Sequence, residues 1–493
     1  MRYRQRAFSP QGEIAAMLDA LRAEVGSDDL TLVFNGDVFD LDAPRVINNE
    51  TVFHDFPRTA EHAVPAVAGI LDDHPDFVGA IGRMLAAGHT VVFISGNHDV
   101  QLVLPEVRSL ITSRLTDAAI AVGDRAGAGA EGIAARVVFR TWFYKCDDGI
   151  LIEHGNQYDP YCCYRYPMEP FGRGEREIHA SMGSLVTRLL ASRMGYFNPH
   201  VDSSFMLSIF GYLAHWARFY LFSRRSIAVT WMVGAMRILL KLWRRRDPFR
   251  RARWRESVAA CARETGVSAK IVARHARLFA KPAEDRLLLV AQALRLDRGA
   301  LLVIALLATA AWMWFVPAAW PLALLIGPLF VAGYELAAPT MSMASHWKSV
   351  SECAPKVREV HGARAVIFGH THNPEGAWDQ GYFLGNTGSW SAAFRDLACT
   401  QPLYDERPLI WLTCDDGGEL HGGLYGWKGG GCFEPRQVKQ AEVAAAEPSG
   451  AARAPRAGAI RYSVGTDRAR ITPGIEATKA MAKNAVNPTS DAR

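Results

Sequence analysis

Four short apolar runs, each breaking off at a polar residue able to bind a cation, constrain this chain more than any other feature. LTLVFNGD (30–37) ends on Asp37, and TVVFISGNHD (90–99) ends on Asn97, His98 and Asp99. GILIEHGN (149–156) ends on His154 and its neighbours, and ARAVIFGHTH (363–372) on His370 and His372. Unbroken apolar runs of this length read as buried strands of a parallel sheet. Helical periodicity precedes the first two. Residues 9–24 offer Ser9 as a cap, Pro10 in the first turn, and Ile14, Met17, Leu18 and Leu21 on one face; 76–87 lead through Gly88 into the second run. The pattern predicts a layered α/β fold with its site beyond the strand ends, where one parallel sheet would bring the four ends together. Beyond residue 380, YFLGNTGSW and PLIWLTCDD predict antiparallel strands closing a sheet.

A chain of 493 residues, 49% hydrophobic and 21% charged, can bury large cores, which excludes wholesale disorder and a small disulfide scaffold. Its eight cysteines contain no CxxC pair and fit a reducing compartment. The N-terminus is charged and has no apolar segment of the secretory kind. Four regions follow: 1–165 and 346–433 carry the strand-end residues, 166–345 is an insertion of different character, and 434–493 is an Ala/Pro/Gly/Arg-rich tail expected to be disordered. Within the insertion, 218–281 holds 17 Lys and Arg against three acids, leaving the remainder of the chain net acidic. It is followed by 36 uncharged residues, 299–334.

Carboxylate, amide oxygen and imidazole together suit a divalent ion such as Mn, Fe, Zn or Co. Glycines before Asp37, Asn97 and His370 let the backbone turn sharply at the strand ends. A GD turn or a lone His means little by itself. GNHD and GHTH are another matter, since a given tetrapeptide arises by chance roughly 0.003 times in such a chain, and both follow a strand here.

These residues resemble the calcineurin-like metallophosphoesterase family, whose signature runs D-x-H, GDxxD, GNH[DE], a single His, then GHxH. The resemblance covers 28–160 and 350–415. It implies a β-sandwich flanked by helices, two divalent ions with manganese favoured, and hydrolysis of a phosphate ester or pyrophosphate by attack of a hydroxide generated on those ions. Asp37 would bridge the ions, Asn97, His154 and His370 would hold one, and His372 the other. His98 would lie over the phosphoryl oxygens, oriented by Asp99, with Asp40 a supporting or turn residue. The D-x-H strand has no counterpart: residues 1–8 contain neither Asp nor His, so the natural chain is expected to start upstream of Met1.

The two flanks of the insertion must meet in one site, so any membrane crossing must be even in number, as a hairpin over about 299–334 would be. Arginines 244–255 on its N-terminal side place the site in the cytoplasm. The stretches 205–222 and 227–246 have the aromatic and basic mixture of interfacial helices. The expected partners are a phosphorylated small molecule or lipid and membrane lipid, with nucleic acid disfavoured. Three alternatives stay open. UDP-2,3-diacylglucosamine hydrolases are similar in site order and helical insertion, although they typically carry Arg at the position of His98. A membrane-anchored scaffold with impaired catalysis would fit the missing ligands. A nuclease would use the basic segment, where 260–280 resembles a helix-turn-helix about GVS.

Overall fold

Two parallel strand pairings decide where the candidate cation-binding residues fall. The computed structural model describes residues 11–26, 28–42, 45–47, 50–52, 56–123, 127–171, 177–190, 227–244, 251–294, 296–316, 350–390, 406–428 and 432–435, with 325, 329 and 333 singly. Most of the tail, the stretch 205–222, Ser9, Pro10 and most of 317–349 lie outside them. The described residues all belong to one unit, Met1–Gln440.

In chain order the elements begin with α1 (Gln11–Val25), β1 (Thr31–Asn35), β2 (Arg45–Ile47), β3 (Glu50–Val52), α2 (Ala60–Asp73), α3 (Pro75–Ala86) and β4 (Thr90–Ile94). Then come α4 (Pro105–Val122), α5 (Gly129–Ala135), β5 (Val137–Arg140), β6 (Phe143–Lys145), β7 (Ile150–Glu153) and α6 (Met182–Leu189). The insertion continues with α7 (Ile227–Arg244), α8 (Arg251–Thr265), α9 (Ala269–His275), α10 (Leu287–Ala293) and α11 (Leu296–Phe315). The chain returns with α12 (Ala354–His361), β8 (Ala365–Phe368), β9 (Glu375–Asp379), β10 (Tyr382–Asn386), β11 (Arg407–Cys414), β12 (Leu420–Lys428) and β13 (Cys432–Pro435).

The architecture is mixed α/β. The four apolar runs are strands β1, β4, β7 and β8, but they do not share one sheet. β1 and β4 lie in a parallel sheet of order β1-β4-β5, whereas β7 and β8 lie in the sheet β6-β7-β8-β10-β9. The physical reason is alternation. In the second sheet Leu151, Val366 and Phe368 face a helical core, while Ile150, Ile152, Ala365 and Ile367 pack with Leu420, Ile410 and Leu412 of the β11-β12-β13 sheet. A run buried on both faces needs only two covering layers, and one of them here is another sheet. The predicted antiparallel strands correspond to β10, paired with β9, and β11, paired with β12, although β10 also runs parallel to β8.

Helix α1 buries Met17, Leu18 and Leu21, as their spacing predicts, in a core with Phe77, Ile81 and Leu85 of α3 and the stacked rings of Phe34, Phe93 and Phe139. Of the uncharged stretch 299–334, α11 is the main described portion, and among the described residues no helix is long and apolar enough to cross a membrane. The predicted turn between two basic helices is present, Gly266 to Ser268 separating α8 from α9.

Candidate metal centre

Register brings the first two strand ends side by side. Asn35 pairs with Ile94, so the chain after each strand enters a neighbouring loop. Gly36 and Asp37 both take left-handed backbone (φ 76 and 55), which turns the Asp37 carboxylate back across the GNHD loop. There its Oδ1 accepts the His98 backbone N–H at 2.8 Å. Asp99 is fully buried beneath the same loop, and its two oxygens accept N–H groups of Gly96 (2.7 Å), Val38 (2.8 Å) and Phe39 (3.4 Å). One carboxylate thus clamps the GDVFD and GNHD turns together. The other strand pair repeats the arrangement. Ile152 pairs with Ile367, and Gly369 N–H donates to the His154 carbonyl at 2.9 Å, setting His154 beside His370. His370 and His372 are also left-handed (φ 64 and 57), and Asn386 supports their loop by donating to the Gly369 carbonyl and to Thr371 Oγ1.

The sheets meet at His154. Its Nδ1–H donates to the Asn35 carbonyl at 2.8 Å, which turns Nε2 toward the site and, in the neutral ring, puts the lone pair there. That nitrogen lies 3.1 Å from Asp37 Oδ2 and 3.2 Å from Asn97 Oδ1. A ring nitrogen and two oxygens therefore converge, an arrangement that positive charge satisfies, either a proton on Nε2 or a cation among the three atoms. Two ligands about 2.1 Å from one ion sit about 3.0–3.4 Å apart at octahedral to tetrahedral angles, so these separations fit a shared cation. His370 adds a fourth donor, since Asp37, His154 and His370 each place a ligand atom within 4.8 Å of the others. Burial opposes charge on both Asp37 and His154. Their proximity outweighs it, holding Asp37 well below and His154 above the ordinary values.

The remaining candidates are distributed around this point. His98 presents its ring to Asp40 Oδ1 at 3.3 Å and Asp42 Oδ2 at 3.4 Å, while the Asp99 carboxylate is engaged by backbone amides. The resemblance implies that Asp99 orients the His98 ring; the structure puts the loop in its grip and Asp40 and Asp42 against the ring. Burial disfavours a charged His98, but Asp37, Asp40 and Asp42 hold its pKa well above the usual value. Burial raises Asp42 to about 7. His372 lines the same cleft as Asp37, His154 and His370, yet no group of three close His, Cys, Asp or Glu donors among the described residues includes it.

Sequence reasoning missed several supports. Asp42 stands two residues beyond Asp40 in GDVFDLD, a repeat that marks it as a further acid. Asp159 accepts from His370 Nε2 at 3.1 Å and from the Tyr161 amide at 2.8 Å, and with Cys162 and His370 forms a second close donor group. The Asn35 carbonyl carried no signal, being backbone. Ahead of His154, Glu153 is buried and held by Trp142 Nε1–H (2.6 Å) and Tyr158 O–H (2.8 Å).

A cleft of about 1410 Å³ opens onto these groups, bounded by Ile14 and Met17 of α1, the edge of β1 that no described strand pairs with, and Leu409 to Cys414 of β11. Comparison of the chain with family models, with curated proteins and with solved structures found no match.

Proposed function

We propose that this chain hydrolyses a phosphate ester or pyrophosphate with two divalent cations, manganese favoured, at the cytoplasmic surface of a membrane. The observation that carries the reading is the convergence of His154 Nε2 with two oxygens, Asp37 Oδ2 and Asn97 Oδ1, beside a ligand atom of His370. Asp37, Asn97, His154 and His370 fit one cation; a second would draw on Asp37 and His372. When bound, such ions activate water and neutralise phosphoryl charge. The chain's own residues do the rest. His98, kept cationic by the acids around it, offers positive charge and a proton to phosphoryl or leaving-group oxygens entering the cleft. Asp99 holds the two turns so that His98 and Asp37 keep their spacing. The fold that accompanies this reading is the sandwich of a calcineurin-like metallophosphoesterase, supported by two sheets meeting at the site. The membrane location is supported by the basic segment 218–281 and the uncharged stretch after it.

The test is manganese titration and hydrolysis of an aryl phosphate and a bis-aryl phosphate by wild type, Asn97→Ala and His154→Ala. Wild type is expected to turn over only with metal, and each variant to lose about 100-fold or more while keeping its melting profile. Full activity in both variants overturns the reading. A second reading, a scaffold with impaired catalysis, is favoured by the position of His372 outside the donor group. It predicts manganese binding with no turnover of either substrate.

A further inference from the structure

The insertion shows large apolar side chains to solvent in two places. Helix α7 is apolar on both sides. Its inner side, Ala235, Ile238 and Leu242, is buried with Leu185 and Leu189 of α6 and Val290 of α10. The approach is close enough that a Cβ on Gly234 would sit 2.9 Å from Leu190. Its outer side shows Met232, Val233, Met236, Leu240 and Trp243 to solvent, the last 57% exposed. Arg237 and Lys241 are spaced along that same side, and the helix contains no acid. Helix α11 packs on α10, keeps Ala305 buried midway, and shows its C-terminal end to solvent. From Ala310 to Val316 every residue is exposed, with Trp314 at 82% and Phe315 at 79%.

We infer that the outer side of α7 and the C-terminal end of α11 dock on an anionic lipid bilayer, entering its headgroup and upper acyl region. The inference rests on the membrane part of the function proposed above and names the surface that makes the contact. Lipid is the occupant that the geometry fits. Seven consecutive residues at ~100° each surround the whole circumference of a helix, whereas a protein partner covers one side of it. A bilayer wets all sides. Trp, Phe and Met at the tip, and cationic heads among the apolar residues of α7, match the interface, where rings and basic groups are favoured. The segment 218–281 adds long-range attraction to anionic headgroups.

The experiment is flotation of the full chain with vesicles of phosphatidylcholine, with and without phosphatidylglycerol, alongside hydrolysis of a soluble aryl phosphate. Wild type is expected to float with the anionic vesicles and more weakly with neutral ones. The double variant Trp314→Glu, Phe315→Glu should bind about tenfold or more weakly. Arg237→Gln with Lys241→Gln should weaken binding to anionic vesicles alone. Both sets alter exposed side chains, so melting and soluble-substrate hydrolysis should be unchanged. As a further measure, brominated lipid should quench less fluorescence in Trp314→Phe than in wild type. Absence of vesicle binding overturns the inference, as does equal binding by the glutamate variant. So does a wild-type dimer in vesicle-free buffer that the glutamate variant dissolves. Vesicle binding lost on tip substitution, in a protein that hydrolyses nothing, supports this surface and overturns the hydrolase reading alone.

Discussion

His361, at the end of α12, is 7% exposed, with its Nε2 3.0 Å from His275 Nδ1 and its ring edge-on to Phe143. Burial, then the neighbouring His275 and Lys145, push its pKa down to about 3. An unfolded histidine titrates near ~6.5. Below that pH the unfolded chain takes up a proton that the folded one refuses, so this group's stability is complete above ~6.5 and is lost as pH falls toward 3. The full loss is at most about 5 kcal/mol. Between pH 7 and pH 5, denaturant melts of the wild type should lose about 2 kcal/mol from this group, and His361→Phe should remove that part of the slope. An unchanged slope would refute the assignment. At the candidate metal centre, the residues that the fold brings together already stood out in the sequence. Asp37, Asn97, His154 and His370 stand in motifs too specific to be accidental, while Asp42 and Asp159 act from beside or behind them and look in sequence like ordinary loop acids.

At the scale of elements, the site depends on turns more than on strands. Asp37, His370 and His372 occupy left-handed backbone, a conformation that costs non-glycine residues about 1 kcal/mol or more each and persists only where surroundings enforce it. Gly96 is part of that enforcement, since an added Cβ would overlap Asp37 Oδ1 and its backbone nitrogen. Gly96→Ala should therefore weaken manganese binding by about tenfold or more, with a stability cost of about 1–3 kcal/mol. Titration calorimetry and melting curves check the two effects separately, and wild-type affinity in the variant would show that the turn has room to spare. Glycine before Asn97 announced a sharp turn in sequence. That the next loop's carboxylate fills the space a side chain would occupy depends on the β1–β4 register, which no local pattern encodes.

For the molecule as a whole, the insertion is not an appendage. Val258, Cys261, Val272 and Ala276 of its helices share one core with Trp142, Phe143, Leu151, Val366 and Phe368 of the second sheet, and Glu264 accepts from the Thr141 amide at 2.9 Å. Val272→Ala should cost about 1–3 kcal/mol. Hydrogen exchange should then accelerate together in α9, β7 and β8, because one cooperative unit carries all three. Acceleration confined to α8 and α9 would show that the insertion unfolds independently.

The apolar run lengths and the residues that end them were enough, without coordinates, to indicate an α/β chain and to single out Asp37, Asn97, His154 and His370 as candidate cation ligands. Burial and donor chemistry are local properties of composition and order. Tertiary structure alone decided that four strand ends reach one point from two sheets. It also decided that Asp99 braces loops while Asp40 and Asp42 face His98, and that, among the described residues, His372 lines the cleft without joining a close group of three donors. Those outcomes depend on register and on which layer covers each face, and both are set by contacts between residues more than a hundred positions apart, such as His154 with the Asn35 carbonyl.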